Sequence, residues 1–76
     1  MRHDPADIRS ALGHAVKDLR VEYRFTQEEL ADRAGVHAHY ISDVERGKRN
    51  VAVVNLTYIA DALGLTASDL LRSADL

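Results

Sequence analysis

The 76-residue chain has no cysteine and no tryptophan, and only one proline and one phenylalanine. Without cysteine, no disulfide can staple the fold and no thiolate can hold a metal. That usage suits a reducing compartment, and a cytoplasmic location is expected. Long hydrophobic runs are missing too: the apolar stretches last a few residues, whereas a membrane span needs about 20. The opening MRHDPAD lacks the apolar segment of a secretion signal. An excess of positive charge is also absent. The net charge is −2 and the pI about 6.0, opposite to the usual footprint of a nucleic-acid binder. The charges are nevertheless unevenly placed. Arg46, Lys48 and Arg49 sit together, while acids gather at Glu28, Glu29, Asp32 and in the tail. Catalytic patterns do not occur: there is no G-x-S-x-G, no P-loop and no paired carboxylate in an evident pocket, so no enzyme, cofactor or small-molecule substrate is expected.

What is present is helical patterning. A chain this short forms one domain, residues 1–76, whose single small core buries somewhat over ~60% of the unfolded surface, and dimerisation would supplement it. Five helices are expected. Asp4 caps the first, Pro5 suits its first position, and Ile8, Leu12, Ala15, Val16, Leu19 and Tyr23 recur as one apolar stripe. Gly13 inside that helix lowers its propensity by roughly 1 kcal/mol against alanine, and marks a close approach. The second helix starts at the capping box Thr26-Gln-Glu-Glu29, with Phe25 and Leu30 placed as a hydrophobic staple and Phe25 assigned to the core. It ends at Gly35. A third helix follows from about Ala38 to Arg46, with Ile41 and Val44 inward and Gly47 as stop. The fourth spans about Val53–Leu63 on Leu56, Ile59, Ala60 and Leu63. The fifth opens at a second box, Thr66-x-x-Asp69, packs through Leu70 and Leu71, and leaves a frayed end.

Two short helices around a glycine turn, about residues 26–47, make a helix-turn-helix candidate. On the second of them Ile41 and Val44 point one way, and His39, Ser42, Asp43 and Arg46 the other. That polar face suits a major groove, its N-terminal residues nearest the bases. On pattern alone it equally suits a solvated helix face. His37 and His39 form an H-x-H pair, but helix neighbours two apart do not share a face and no third ligand lies near, so no metal site is expected. His3 and His14 are read as exposed, Tyr40 as half-buried, Tyr23 as core edge, and Glu28, Glu29 and Asp32 as a solvated run.

The string TQEELADRAGV–x–x–x–YISDVERGKRN, followed by L–x–x–IADALGL–x–x–x–DLL, resembles the lambda-repressor-like family, the Cro/repressor or xenobiotic-response-element type. The likeness covers about residues 8–71, with motifs in order at the family spacing. It is greatest to phage-type repressors and restriction–modification controller proteins. The resemblance implies an all-α, compact five-helix domain that binds double-stranded DNA as a homodimer on a roughly palindromic operator, as a repressor or autoregulatory controller. By position it implies base-reading roles for Ala38, His39, Ser42 and Asp43. It implies phosphate or backbone contacts for Thr26, Gln27, His37, Tyr40, Arg46, Lys48, Arg49 and Asn50. An internal ion pair, Arg20 with Glu45, is implied between the first and third helices. The dimer surface is expected on the fourth and fifth helices, at Val53, Val54, Leu65 and Leu76. Departures from the pattern are His37 where a capping Ser, Thr or Asp is usual, Ala38 where a long polar reader is common, the acidic Asp43 on the DNA face, and Ala52 before the fourth helix. The competing reading is an antitoxin-like or other protein-interaction module on the same core.

Overall fold

A computed structural model describes residues 4–76; His3 lies outside them. The order is α1 (Pro5–Glu22), α2 (Gln27–Ala34), α3 (Ala38–Glu45), α4 (Val53–Ala62) and α5 (Ala67–Ser73), with no strand among the described residues. The five-helix, all-α expectation is met.

Local chemistry accounts for most of the starts. The Asp4 side chain accepts from the Ala6 N–H, 2.8 Å away, and Pro5 follows at the first helical position. Both capping boxes form. Thr26 Oγ1 accepts from the Glu29 N–H at 3.0 Å while Glu29 accepts from the Thr26 N–H at 2.8 Å, and Thr66 and Asp69 repeat the exchange. Those bonds lower the carboxyl pKa values of Glu29 and Asp69, since backbone and hydroxyl donors favour the ionised acceptor. At the α2–α3 turn Gly35 has φ +72°, the left-handed region in which a residue without Cβ is unstrained.

The helices bury one stripe each. Leu12, Ala15 and Val16 of α1 meet Leu30, Ala31 and Ala34 of α2, Ile41 and Val44 of α3, Leu56, Ile59, Ala60 and Leu63 from α4 and its end, and Leu70 of α5. Six side chains, those of Leu30, Ile41, Ile59, Leu70, Val16 and Val44, are fully enclosed. Gly13 is the packing point between α1 and α3: a Cβ there would overlap the Val44 carbonyl oxygen and lie 2.8 Å from that of Glu45. This is the close approach its sequence position suggested.

Several expectations are corrected at the edges. Ile8 and Tyr23 are exposed, because α1 overshoots the core at both ends and Tyr23 is its C-cap. Phe25 is half-buried, not core, its ring covered by the Arg33 guanidinium 4.4 Å from the centroid. α3 and α4 end one residue earlier than expected, at Glu45 and Ala62, with Arg46 and Leu63 as C-caps. At the chain end the Leu76 N–H bonds the Leu71 carbonyl at 2.9 Å. Leu65 is half-buried against the core, so it is no free surface residue.

Candidate nucleic-acid interface

α3 is the centre of the site, and little in its own sequence holds it. It is eight residues long, and neither its N-cap His37 nor any acid in its first turn supports it. Isolated helices of that length are unstable in water, so neighbours must impose the conformation. Ile41 and Val44 anchor its inner side in the core. Glu45, 8% exposed, anchors its end.

Glu45 is the hub of a buried polar network. Arg20 of α1 donates from Nε to Glu45 Oε2 at 2.6 Å and from Nη2 to Oε1 at 3.0 Å, a two-pronged pair. Its Nη1 donates to the Phe25 carbonyl at 2.8 Å, and Gln27 of α2 donates to Glu45 Oε1 at 3.1 Å. The Glu45 hydrogen bond raises the Arg20 pKa above its usual value, outweighing the lowering by burial. One carboxylate thus ties α1, α2 and α3 together. The expected Arg20–Glu45 pair is present, but Gln27 is directed at it through its amide.

The outer side of α3 carries the second network. Arg46 Nη2 donates to Asp43 Oδ1 at 3.1 Å, Arg49 Nε to Asp43 Oδ2 at 3.4 Å, and His39 Nε2 lies 3.9 Å from Oδ2. Burial pushes the Asp43 carboxyl up, yet the Arg46 hydrogen bond and the charges of His39 and Arg49 outweigh it and hold the pKa below the usual value. Arg49 also sits over the Tyr40 ring, 5.2 Å from its centroid, and Asn55 of α4 donates to the Tyr40 hydroxyl at 3.3 Å. Together with Gly35, Val36, His37 and His39, these residues line an open hollow of about 430 Å³ along the turn and the start of α3.

Of the candidate residues, His39, Tyr40, Asp43, Arg46 and Arg49 come together on the outer side of α3, with differences in availability, whereas Gln27 is half-buried against Glu45. His39 stands free, its side chain 81% exposed. Ser42 and Tyr40 are half-buried, and Ala38 packs partly against the core. Asp43 is only 15% exposed and has both oxygens engaged by arginines. His37, Arg46, Lys48, Arg49 and Asn50 are exposed on or beside α3, and Thr26 is exposed with its hydroxyl engaged in the α2 cap. Sequence reasoning missed Asn55 and the arginine clamp. Asp43 and Arg46 stand three apart on one helix, a readable spacing. Arg49 and Asn55 carry no such signal, since a loop and a separate helix deliver them. No group of three His, Asp or Glu suited to a metal occurs among the described residues.

A tight two-helix unit over a packed core, with the second helix turned outward beside a basic loop, defines the chain as a helix-turn-helix DNA-binding transcription regulator. It belongs to the helix-turn-helix family HTH_3, whose model matches residues 16–70. The control protein C.BamHI of Bacillus amyloliquefaciens is 42% identical over 66 residues, 86% of this chain and 82% of that protein. Among solved structures, the restriction-modification controller protein C.AhdI of Aeromonas hydrophila superposes with a TM-score of 0.79 at 35% identity, over 82% of this chain and 94% of that one. The clp gene regulator ClgR of Corynebacterium glutamicum gives 0.84 at 35% identity, over 90% and 72%. None of the described helices is long and apolar enough to cross a membrane.

Proposed function

We propose that the protein is a repressor or autoregulatory controller that binds a roughly palindromic operator as a homodimer, with α3 in the major groove. The observation that carries this reading is the outward surface of α3. His39 and the accessible edges of Tyr40 and Ser42 stand there at the helix start and middle, flanked by Arg46, Lys48 and Arg49. A groove-reading helix needs its first turns free and its flanks basic, and that is the arrangement here. The start of α3 at His37 offers uncapped N–H groups to a phosphate, and the start of α2 offers those its capping box leaves free. His39 is the principal base reader in this scheme, and Ala38 contributes at most apolar contact to a thymine methyl. The acidic pI is no obstacle, because Arg46, Lys48 and Arg49 gather at the end of α3. The controller assignment draws its support from the similarity to C.BamHI and C.AhdI. The protein acts by binding, without catalysis, in the cytoplasm.

Dimerisation is supported by α4, where Val53 is 75%, Val54 59% and Tyr58 52% exposed, apolar surface that one small core leaves uncovered. Leu76, exposed after α5, adds to it. Two copies related by a two-fold axis would place their α3 helices about 34 Å apart, one turn of DNA.

Selection of binding sites from random duplex DNA tests the reading. An enriched inverted repeat supports a dimer on a palindrome; an enriched single half-site, with a monomer in sedimentation at high micromolar concentration, removes the dimer. No enrichment would favour the protein-interaction module.

A further inference from the structure

We propose that Asp43 is a positioning residue for sequence discrimination: its carboxylate holds Arg46 and Arg49 in one arrangement suited to the operator and restrains them from binding DNA of any sequence. The proposal rests on the DNA-binding reading of α3.

An acid on a surface meant for phosphates calls for a reason. Stability is a poor one, because an arginine–carboxylate pair three residues apart whose guanidinium stays about half exposed contributes little. Direct base reading is also a poor one in this geometry. An aspartate reads cytosine by accepting from its N4 amine, but each Asp43 oxygen already accepts from an arginine, Oδ1 from Arg46 and Oδ2 from Arg49. The side chain is 15% exposed while those of its partners are 55% and 49% exposed. The carboxylate thus lies beneath the two guanidinium groups.

The arrangement extends past the pair. Arg49 is fixed from two sides, by Asp43 and by the Tyr40 ring, and Tyr40 is fixed in turn by Asn55 of α4. The loop after α3 is thereby fastened to α3 and α4 through side chains. Two consequences follow for DNA. First, arginine side chains carry much rotamer freedom, and holding them in place beforehand reduces what a matching site must overcome on binding. Second, a random sequence meets two cations whose charge is partly cancelled. Gaining a phosphate contact then requires giving up a carboxylate contact, so sequence-independent attraction is reduced.

The test compares Asp43→Asn with the unaltered protein on the selected operator and on a random-sequence duplex of equal length, over a salt series. The expected result is tighter binding to random DNA, with a steeper salt dependence by about one phosphate contact, ~0.9 in the log–log slope. Operator affinity rises less, so the operator-to-random ratio falls by about tenfold, a coupling typical of neighbouring charged groups. If Asp43 contributed only its charge, both affinities would rise by one factor and the ratio would stand, which overturns the proposal. A second comparison is made in an Arg46→Ala/Arg49→Ala background. There Asp43→Asn should leave the ratio unchanged; an undiminished fall would show that Asp43 acts on the bases directly and not through the arginines. Asp43→Glu, which keeps the charge within reach of Arg46, should recover most of the ratio, and its failure to do so would count against positioning. If the unaltered protein selects no site at all, the DNA-binding reading itself fails; if it selects one and the ratio ignores Asp43→Asn, only this proposal fails.

Discussion

Glu45→Ala is the substitution whose consequence is best defined. Glu45 has a side chain 3% exposed and accepts two bonds from Arg20, itself 12% exposed, and one from Gln27. Removing the carboxylate leaves a guanidinium charge largely away from water with one partner, the Phe25 carbonyl. Breaking a buried pair from one side costs about 3–5 kcal/mol. A domain of this length has a total stability of about 4–11 kcal/mol at the usual 0.05–0.15 kcal/mol per residue. The variant should therefore lose a large share of its stability. At about 4–8 °C per kcal/mol for a domain this small, Tm should drop by more than about 12 °C. Thermal and urea unfolding followed by helical circular dichroism measures this directly. Replacing both partners, Arg20→Met with Glu45→Leu, should restore part of the loss, because no unpaired charge then remains. A loss below about 1 kcal/mol for Glu45→Ala would match an exposed pair instead, and would refute the view that this network fixes α3.

Gly13→Ala should destabilise by about 1–3 kcal/mol, because overlap with two α3 carbonyls exceeds the roughly 1 kcal/mol gained in helix propensity; a more stable variant in urea unfolding would show that α1 and α3 have slack. Arg46→Ala should weaken binding to all DNA and flatten the salt slope by about 0.9, measured by fluorescence anisotropy; a change confined to one base pair would make it a reader instead. Stability should stay level from neutral pH down to the ordinary carboxylate range and then decline. Glu29, Asp43 and Asp69 have folded pKa values below their ordinary ones, so their contribution is present above those ordinary values and is lost as pH falls through the folded ones. A Tm profile that fell equally on the alkaline side of neutrality would contradict this origin.

Features written into neighbouring residues were legible in the sequence. Both capping boxes, the proline start of α1 and the glycine turn at Gly35 depend on residues at most a few apart, and all form as expected. Gly13 was readable as a close approach because a glycine inside a strong helix needs a packing reason. Exposure at the edges was less legible. Periodicity gives the direction of Tyr23 and Ile8 but not the point at which α1 runs past its neighbours. Leu65 looked spare because its contacts come from tertiary packing. The same limit hid the site's second network: Asp43 looked like a base reader while Arg49, six residues on, was invisible as its partner, and so was Asn55, beyond a loop, as the partner of Tyr40.

The helix on which recognition rests begins without a side-chain cap, and this has a measurable consequence. α2 and α5 begin on reciprocal boxes, whereas α3 begins at His37 with an extended backbone, φ −77° and ψ 145°, and no side-chain bond to its free N–H groups. The backbone is already that of an N-cap, so only the side chain is unsuited. A serine at this position would place a hydroxyl against those N–H groups without steric change, since His37 is exposed. His37→Ser should therefore stabilise the fold by about 1 kcal/mol. The same N–H groups are those offered to a phosphate in the proposed complex. A hydroxyl that engages them in the free protein must be displaced or shared on binding, so the more stable variant should bind the operator more weakly, by several-fold, with discrimination among sequences retained. Unfolding and operator titration of the one variant read the two effects separately. Greater stability with unchanged affinity would show that the α3 N-terminus makes no phosphate contact, and would shift the backbone contacts to Thr26 and the basic loop.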